Sequence, residues 1–402
     1  MVKDKLSNIL KDGLFQDGDW IESKDQDPEG KIRLIQLADI GDGFFINKSA
    51  RFMNKETANK LRCTFLEKGD ILVARMPDPL GRCCIFPLEG TEKFVTAVDV
   101  CIIRPTKDVC TPYLAYMINS PFNRSEIDRQ STGTTRRRIT KKRLGSLEIP
   151  LLPLKTQQNI AQILDDAAAL RDKTKQLLTE YDLLAQSIFL EMFGDPVINQ
   201  MNWNTLNLKK LTTKIGSGAT PRGGKEAYEK EGMSLIRSLN IHDNKFKLKD
   251  LALINEDQAA KLKNVTIKKD DVLINITGAS VARCAIVPDE ILPARVNQHV
   301  SILRSKKNIL NPVFLLHLII SPNSKVKFIG VGSSNAATRE SITKEQLETF
   351  EIIVPQIALQ NQFAEKIALI ERQKELAQQE LKESENLFNC LLQKAFKGEL
   401  VQ

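Results

Sequence analysis

Between Thr156 and Phe193 the chain places Ile160, Ile163, Ala167, Leu170, Thr174, Leu177, Tyr181, Leu184 and Ile188 at alternating steps of three and four. The positions between them are mostly Gln, Asp, Lys, Glu and Arg, and no proline or glycine interrupts the run. A narrow apolar stripe with this period predicts a long helix that hides the stripe against another helix. Gly194-Asp195-Pro196 marks its end. The pattern returns from Leu359 to Phe396, as Phe363, Ile367, Ile370, Lys374, Ala377, Leu381, Ser384, Phe388, Leu391 and Ala395. At 1.5 Å per residue each helix would span roughly 55–60 Å, more than the width of a small domain. The expectation is a pair of struts. The alternative is two unrelated amphipathic helices, each packed on its own domain.

The remainder of the chain is duplicated. Lys68-Gly69-Asp70-Ile71-Leu72-Val73 matches Lys269-Asp270-Asp271-Val272-Leu273-Ile274, an offset of 201. Arg82–Pro87 matches Arg283–Pro288, and Leu34–Ile40 matches Leu235–Ile241, at the same offset. Further on, Ser120-Pro121 meets Ser321-Pro322, Ile139-Thr140-Lys141 meets Ile342-Thr343-Lys344, and Gln157 meets Gln360. Matches in one order at nearly constant spacing are the mark of a tandem repeat. The chain therefore reads as an α+β protein in four parts: residues 1–153, a β-rich module; 154–196, a long helix; 197–355, a second module; and 356–402, a second long helix. Strands are expected at Asp70–Val73, Cys84–Phe86, Val98–Arg104 and Val272–Ile276, between turn residues. Helices are expected to begin at Thr111-Pro112 and Asn311-Pro312. Proline-bearing hinges, Glu148–Pro153 and Glu351–Pro355, close each module.

A net charge of +8 leans towards a polyanionic partner without naming one. The basic residues are uneven. Arg129–Arg143 holds seven positive charges and no acid, with Ser131, Thr132, Gly133, Thr134 and Thr135 among them. This is a loop of donors for phosphates and base edges, or else a solvated surface loop. Its counterpart, Gly330–Arg339, carries far less charge, while Gly216–Lys225 supplies Arg222 and Lys225. Arg82 and Arg283 hold equivalent places, which fits either a structural role or a shared phosphate contact.

Catalytic signatures fail on inspection. In Gly216–Lys225 the position of the first phosphate-loop glycine is Ala219, and Glu226 replaces the hydroxyl that would hold magnesium. Asn311-Pro312-Val313-Phe314 approaches the Asn-Pro-Pro-Phe tetrad of adenine methyltransferases, but no glycine-rich cofactor loop follows a strand, and a helix cap is the better reading. Three histidines, and seven cysteines without a CxxC pair, argue against a zinc site and fit a reducing cytoplasm. No apolar run reaches membrane-spanning length, so no membrane is expected as a partner.

Two modules with unlike loops, alternating with two long helices entered through Ile149-Pro150-Leu151-Leu152-Pro153 and Ile352-Ile353-Val354-Pro355-Gln356, closely resemble the specificity subunit of type I restriction-modification systems. The resemblance covers essentially the whole chain. The family commonly has Pro-Pro and Glu-Gln where this chain has Leu152-Pro153 and Gln157-Gln158, then Pro355-Gln356 and Gln360-Asn361. It implies a non-catalytic chain whose modules are target-recognition domains, each reading one half of a bipartite, asymmetric site on double-stranded DNA. It also implies that the helices form an antiparallel coiled coil that sets the gap and docks two modification subunits, joined by two restriction subunits. S-adenosylmethionine, ATP and magnesium would belong to those partners, with no cofactor or metal on this chain. A strut of at most ~60 Å bounds the half-site separation at roughly 17 base pairs. The candidate DNA contacts are Arg75, Arg82, Thr134, Arg136, Arg137, Arg138, Lys141, Arg222, Lys225, Arg237, Arg283 and Arg339. The candidate helical interface is Ile160, Ile163, Leu170, Leu177, Leu184, Phe363, Ile370, Leu381 and Leu391. The competing class is a coiled-coil adaptor with two protein-binding modules, which salt-dependent retention on DNA would separate from the first.

Overall fold

The computed structural model describes residues 2–89, 93–134, 136–333 and 340–400, without the side chain of Lys225. Two compact units divide it: Met1–Lys175 with Gln379–Gln402, and Gln176–Gln378. Each unit therefore holds one β-rich module and one end of each long helix, a division that cuts across the four-part scheme above.

In the first unit a four-stranded antiparallel sheet runs in the order Leu14–Asp17, Val100–Arg104, Ile71–Ala74, Cys83–Ile85. A smaller sheet has the order Arg51–Met53, Ile32–Ile35, Lys93–Thr96. The central strand Ile71–Ala74 is buried on both faces, which is why it reads as an unbroken apolar run. Successive side chains alternate sides. Ile71 and Val73 face a core made with the helix Thr111–Asn119, while Leu72 and Ala74 face Phe86 and Phe94. The second unit repeats this plan with Thr212–Ser217, Val300–Ser305, Val272–Asn275 and Cys284–Ile286, and with Ala252–Ile254, Met233–Ile236 and Ala294–Val296. The helix Pro312–Ile320 takes the place of Thr111–Asn119, and Asn311 caps it by accepting from the Val313 N–H.

The duplication extends to polar groups that hold the modules together. Buried Asp70 receives Nε and Nη2 of Arg104 on its two oxygens, at 2.7 and 2.9 Å. Buried Asp271 receives Arg304 in the same way, at 2.7 Å on both. Gln157 and Gln360, both buried, lock the hinges. Each accepts from the N–H at the start of a module helix, Cys110 or Asn311, at 2.9 Å, and donates back to the hinge carbonyl of Leu152 or Pro355. The strand entering each module closes the same hinge, Lys3–Lys5 on Glu148–Pro150 and Thr205–Asn207 on Glu351–Ile353.

The long helices run Leu154–Phe193 and Ile357–Lys397. In the first unit Leu164 shares a core with Leu392, and in the second Phe189 packs on Phe363 at 5.5 Å, so the start of one helix lies on the end of the other in both: the coiled coil is antiparallel. The C-terminal seam follows the expected register, with Phe363, Ile367, Ile370, Ala377 and Ser384 buried and Leu381 and Leu391 half-buried. The central seam needs a correction. Ile160, Ala167 and Thr174 are buried as expected, but Leu170 and Leu184 are 44% and 45% exposed, and Ile163 and Leu177 are half-buried. Leu164 and Ala185 occupy the seam instead. The steps run four then three, the order of the C-terminal helix, so alternate seam positions move by one residue. We expect Leu164→Ala to cost about 3 kcal/mol and Leu170→Ala to stay within about 0.5 kcal/mol in urea unfolding; equal losses would restore the original register.

Candidate nucleic-acid interface

The basic segment Arg129–Arg143 is built from the inside outwards. The short helix Lys141–Leu144 starts on Thr140, whose hydroxyl accepts from the Arg143 N–H, and buried Ile139 anchors the extended stretch before it. Arg75 lies beneath, 5% exposed: its Nε donates to the Ile139 carbonyl at 2.9 Å, its Nη1 to the Val98 carbonyl at 3.2 Å, and it pairs with Asp17. Arg138 donates to the Val98 carbonyl at 3.0 Å and pairs with Asp99 at 3.2 Å. Arg137 pairs with Asp128 at 2.8 Å and donates to the Ser131 hydroxyl. Arg143 donates to the Gln130 carbonyl. These four arginines shape the segment. Arg136, Lys141 and Lys142 are exposed, with no ion pair recorded for them among the described residues, and Thr134 is exposed beside them. Thr135 lies outside the described residues.

Arg75 and Arg82 are therefore not surface contacts. Arg82, also buried, gives its guanidinium to the carbonyls of Ile40, Pro79 and Leu37 at 2.6–2.9 Å, and burial draws its pKa down. Sequence periodicity cannot tell an arginine that caps carbonyls from one that meets phosphate. Its counterpart Arg283 is half-exposed, with no side-chain hydrogen bond or ion pair among the described residues, so the carbonyl-capping role is not shared by the two modules. Arg237 is half-buried, stacked over Tyr228 at 5.1 Å and donating to the Asp250 carbonyl. Arg222 is exposed. Lys225 lies in the turn Gly224–Ala227, and Arg339 lies outside the described residues.

The loop Gly216–Lys225 has its structural counterpart after the strand Leu14–Asp17, not in the basic segment. Gly18 N–H donates to the Val100 carbonyl at 2.7 Å and Gly218 N–H to the Asn297 carbonyl at 3.1 Å. A Cβ on either glycine would strike the carbonyl of Ala97 or Val296. In the first unit this loop carries Trp20, 69% exposed, which the sequence reading passed over. The offset between Gly18 and Gly218 was the signal available.

Each module also fixes a loop through one buried polar side chain. Asp39 accepts from the N–H groups of Gln36, Lys48 and Ser49 at 2.6–2.7 Å. Its counterpart Asn240 accepts from Arg237 N–H at 3.1 Å and donates to the Lys247 carbonyl at 2.9 Å. The loops thus share an anchor and differ in composition. His317, buried beside Phe363, is held neutral: desolvation, then the Lys374 charge, lower its pKa to about 4. The unfolded imidazole titrates near 6.5, so the unfolded chain takes up the proton first. Stability supplied by His317 is complete above about pH 6.5 and is lost as pH falls towards 4, by up to about 3 kcal/mol. His317→Phe should flatten the second unit's urea midpoint between those pH values; an unchanged pH slope would refute the assignment.

Among the described residues no helix is long and apolar enough to cross a membrane, and no group of three or more His, Cys, Asp or Glu is placed to hold a metal.

Two duplicated sheet modules, each with its own loops on a common frame and each closed by a strut, define a tandem recognition scaffold. The profile of the type I restriction modification DNA specificity domain matches it twice, over residues 8–180 and 200–386, and the chain belongs to that family. It is 24% identical to the EcoBI type I restriction enzyme specificity subunit of Escherichia coli over 69% of this chain, a match that takes in 63% of that protein. It is 22% identical to a putative MjaX specificity subunit of Methanocaldococcus jannaschii, over 81% of this chain and 77% of that one. In fold it is similar to a chain from a type I R-M system studied for its complex assembly and conformational transition (TM-score 0.62, 17% identity, 99% and 98% of the two chains). It is also similar to the S subunit from M. genitalium (TM-score 0.55, 15% identity, 98% and 96%).

Proposed function

We propose that this chain is the DNA-specificity subunit of a type I restriction-modification complex. Each module reads one half of a bipartite, asymmetric site, and the antiparallel helices set the gap and dock modification subunits. The observation that carries this is the duplicated frame with unlike loops. Asp39 and Asn240 hold equivalent loops, and Arg75, Arg137 and Arg138 shape a basic segment in one module whose sequence, Arg129–Arg143, is far more charged than its counterpart Gly330–Arg339. One scaffold with two different edges reads two different half-sites. Arg136, Lys141, Lys142 and Thr134 in the first module, and Arg222, Arg283 and Arg237 in the second, are the contacts we assign to DNA. Exposed leucines at heptad spacing, Leu369 and Leu376, give the C-terminal helix an apolar face for a modification subunit. Methyl transfer with S-adenosylmethionine, and ATP- and magnesium-dependent translocation and cleavage, are assigned to two modification and two restriction subunits in the cytoplasm.

Sequencing methylated bases in a host that carries this chain with a modification subunit, against one that lacks it, tests the reading. A new adenine-methylation motif with unlike halves and a fixed gap is expected. An assembled, cofactor-supplied complex that leaves no new motif would reject it.

A further inference from the structure

Both units hold a cleft where a module loop approaches the paired helices. In the first, of about 380 Å³, Asp42, Gly43 and Tyr116 face Arg171 and Phe388. In the second, of about 790 Å³, Asp243, Asn244 and His317 face Asp182, Glu371 and Lys374. The frame is duplicated. Gly43 N–H donates to the Cys83 carbonyl at 3.0 Å and Asn244 N–H to the Cys284 carbonyl at 2.9 Å. Arg124 pairs with Asp42 as Lys325 pairs with Asp243.

The attachment to the helices is not duplicated. In the second unit Asn244 Nδ2 donates to Glu371 Oε1 at 2.9 Å, Glu371 pairs with Lys374 at 3.0 Å, and Lys374 reaches Asp182 at 2.7 Å. This chain of contacts runs from the module hairpin Ile241–Phe246 to the C-terminal helix and on to the central helix. The Lys374 side chain is only 12% exposed, while its partners Asp182 and Glu371 are 67% and 38% exposed, so the ammonium is held between two carboxylates that reach solvent. Buried Asn240 ties that hairpin to Arg237, a candidate DNA contact. In the first unit the equivalent positions are Gly43, Ala168 and Arg171. Arg171 lies over Phe388 at 5.0 Å and pairs with its own neighbour Asp172, while Tyr116 bonds Asp165 from the module helix.

We propose that Asn244, Glu371, Lys374 and Asp182 form a positioning brace that holds the second module's hairpin Ile241–Phe246 in register with the helices of its unit, a brace absent among the described residues at the equivalent loop of the first unit. The brace is read from the second unit alone; its consequence for DNA rests on the specificity-subunit reading. Glu371 is a positioning residue, acting through Asn244 and Asn240. The test uses the full chain with Glu371→Ala, the conservative Glu371→Gln, and Asn244→Gly, which adopts the first module's residue. The backbone allows the last change, because Asn244 already has a φ of +49°.

Amide exchange of residues 241–246 should rise about tenfold in Glu371→Ala and return towards the parent in Glu371→Gln, with the 40–45 loop unchanged. A hairpin that exchanges at the parent rate, or a rise spread evenly over the whole second unit, would overturn the brace. The second readout is affinity for a duplex selected by the parent complex from a randomised library, and for the same half-sites set one base pair closer or farther apart. Glu371→Ala and Asn244→Gly should keep affinity for the parent spacing within about threefold and lose most of the discrimination between spacings. Discrimination equal to the parent's would overturn the coupling to DNA. Failure of the parent to select any duplex would count against the specificity-subunit reading, leaving the exchange result to judge the brace.

Discussion

Replacing Arg136, Lys141 and Lys142 together by alanine should weaken DNA binding by roughly several hundred-fold at 0.1 M salt and flatten its salt dependence. Each phosphate contact releases about 0.9 of a counterion, so at that salt each is worth close to tenfold in affinity. The log–log salt slope should fall by about 2.7 in magnitude. These side chains are exposed and make no ion pair among the described residues. Arg137 and Arg138 stay in place to keep the loop's shape through Asp128 and Asp99. Circular dichroism and the thermal midpoint should therefore be unchanged. A variant that binds as the parent does, with the same slope, would remove this edge from the DNA interface.

Phe363→Ala should destabilise the second unit by about 3–5 kcal/mol. Phe363 is fully buried at the start of the C-terminal helix, with Phe193 at 5.4 Å, Phe189 at 5.5 Å and His317 at 5.2 Å between ring centroids. Truncation leaves a void that Phe314, itself stacked on Phe189, cannot fill without giving up its own contacts. Because the chain has two units, unfolding need not be a single transition. In urea the transition that reports on Trp203, whose indole N–H donates to the Phe193 carbonyl, should shift to lower denaturant, while one that reports on Trp20 should hold. A shift of both by the same amount would show that the two units unfold as one.

The register of the C-terminal helix was legible because its phenylalanines and isoleucines stand out against charged neighbours. The central helix is richer in leucine and alanine, so two registers fit its sequence equally well. The repeat held the answer: at an offset of 203, Leu164 aligns with Ile367 and Arg171 with Lys374. Carrying the C-terminal register back would have put Leu164 in the seam and Leu170 outside it. The arginines were harder. Arg75, Arg82 and Arg136 are identical in composition and all lie near turns, and only the carbonyls around the first two distinguish them.

What the sequence determined by itself was the organisation: a tandem repeat, two long paired helices, hinges between them, and one basic edge. Period and offset are properties of the chain, because burial on one helix face and alternation along a strand write themselves into residue order. What only the tertiary structure decided was which charges are spent inside. Asp39, Asp70 and Asp271 are buried on backbone N–H groups or arginine, Arg75 and Arg82 are buried on carbonyls, and half-buried Lys374 meets two carboxylates. Many of those partners stand far along the chain, as Arg104 does from Asp70, Leu37 from Arg82 and Asp182 from Lys374. A charged side chain's role depends on whether such a partner or water meets it, and three-dimensional packing settles that.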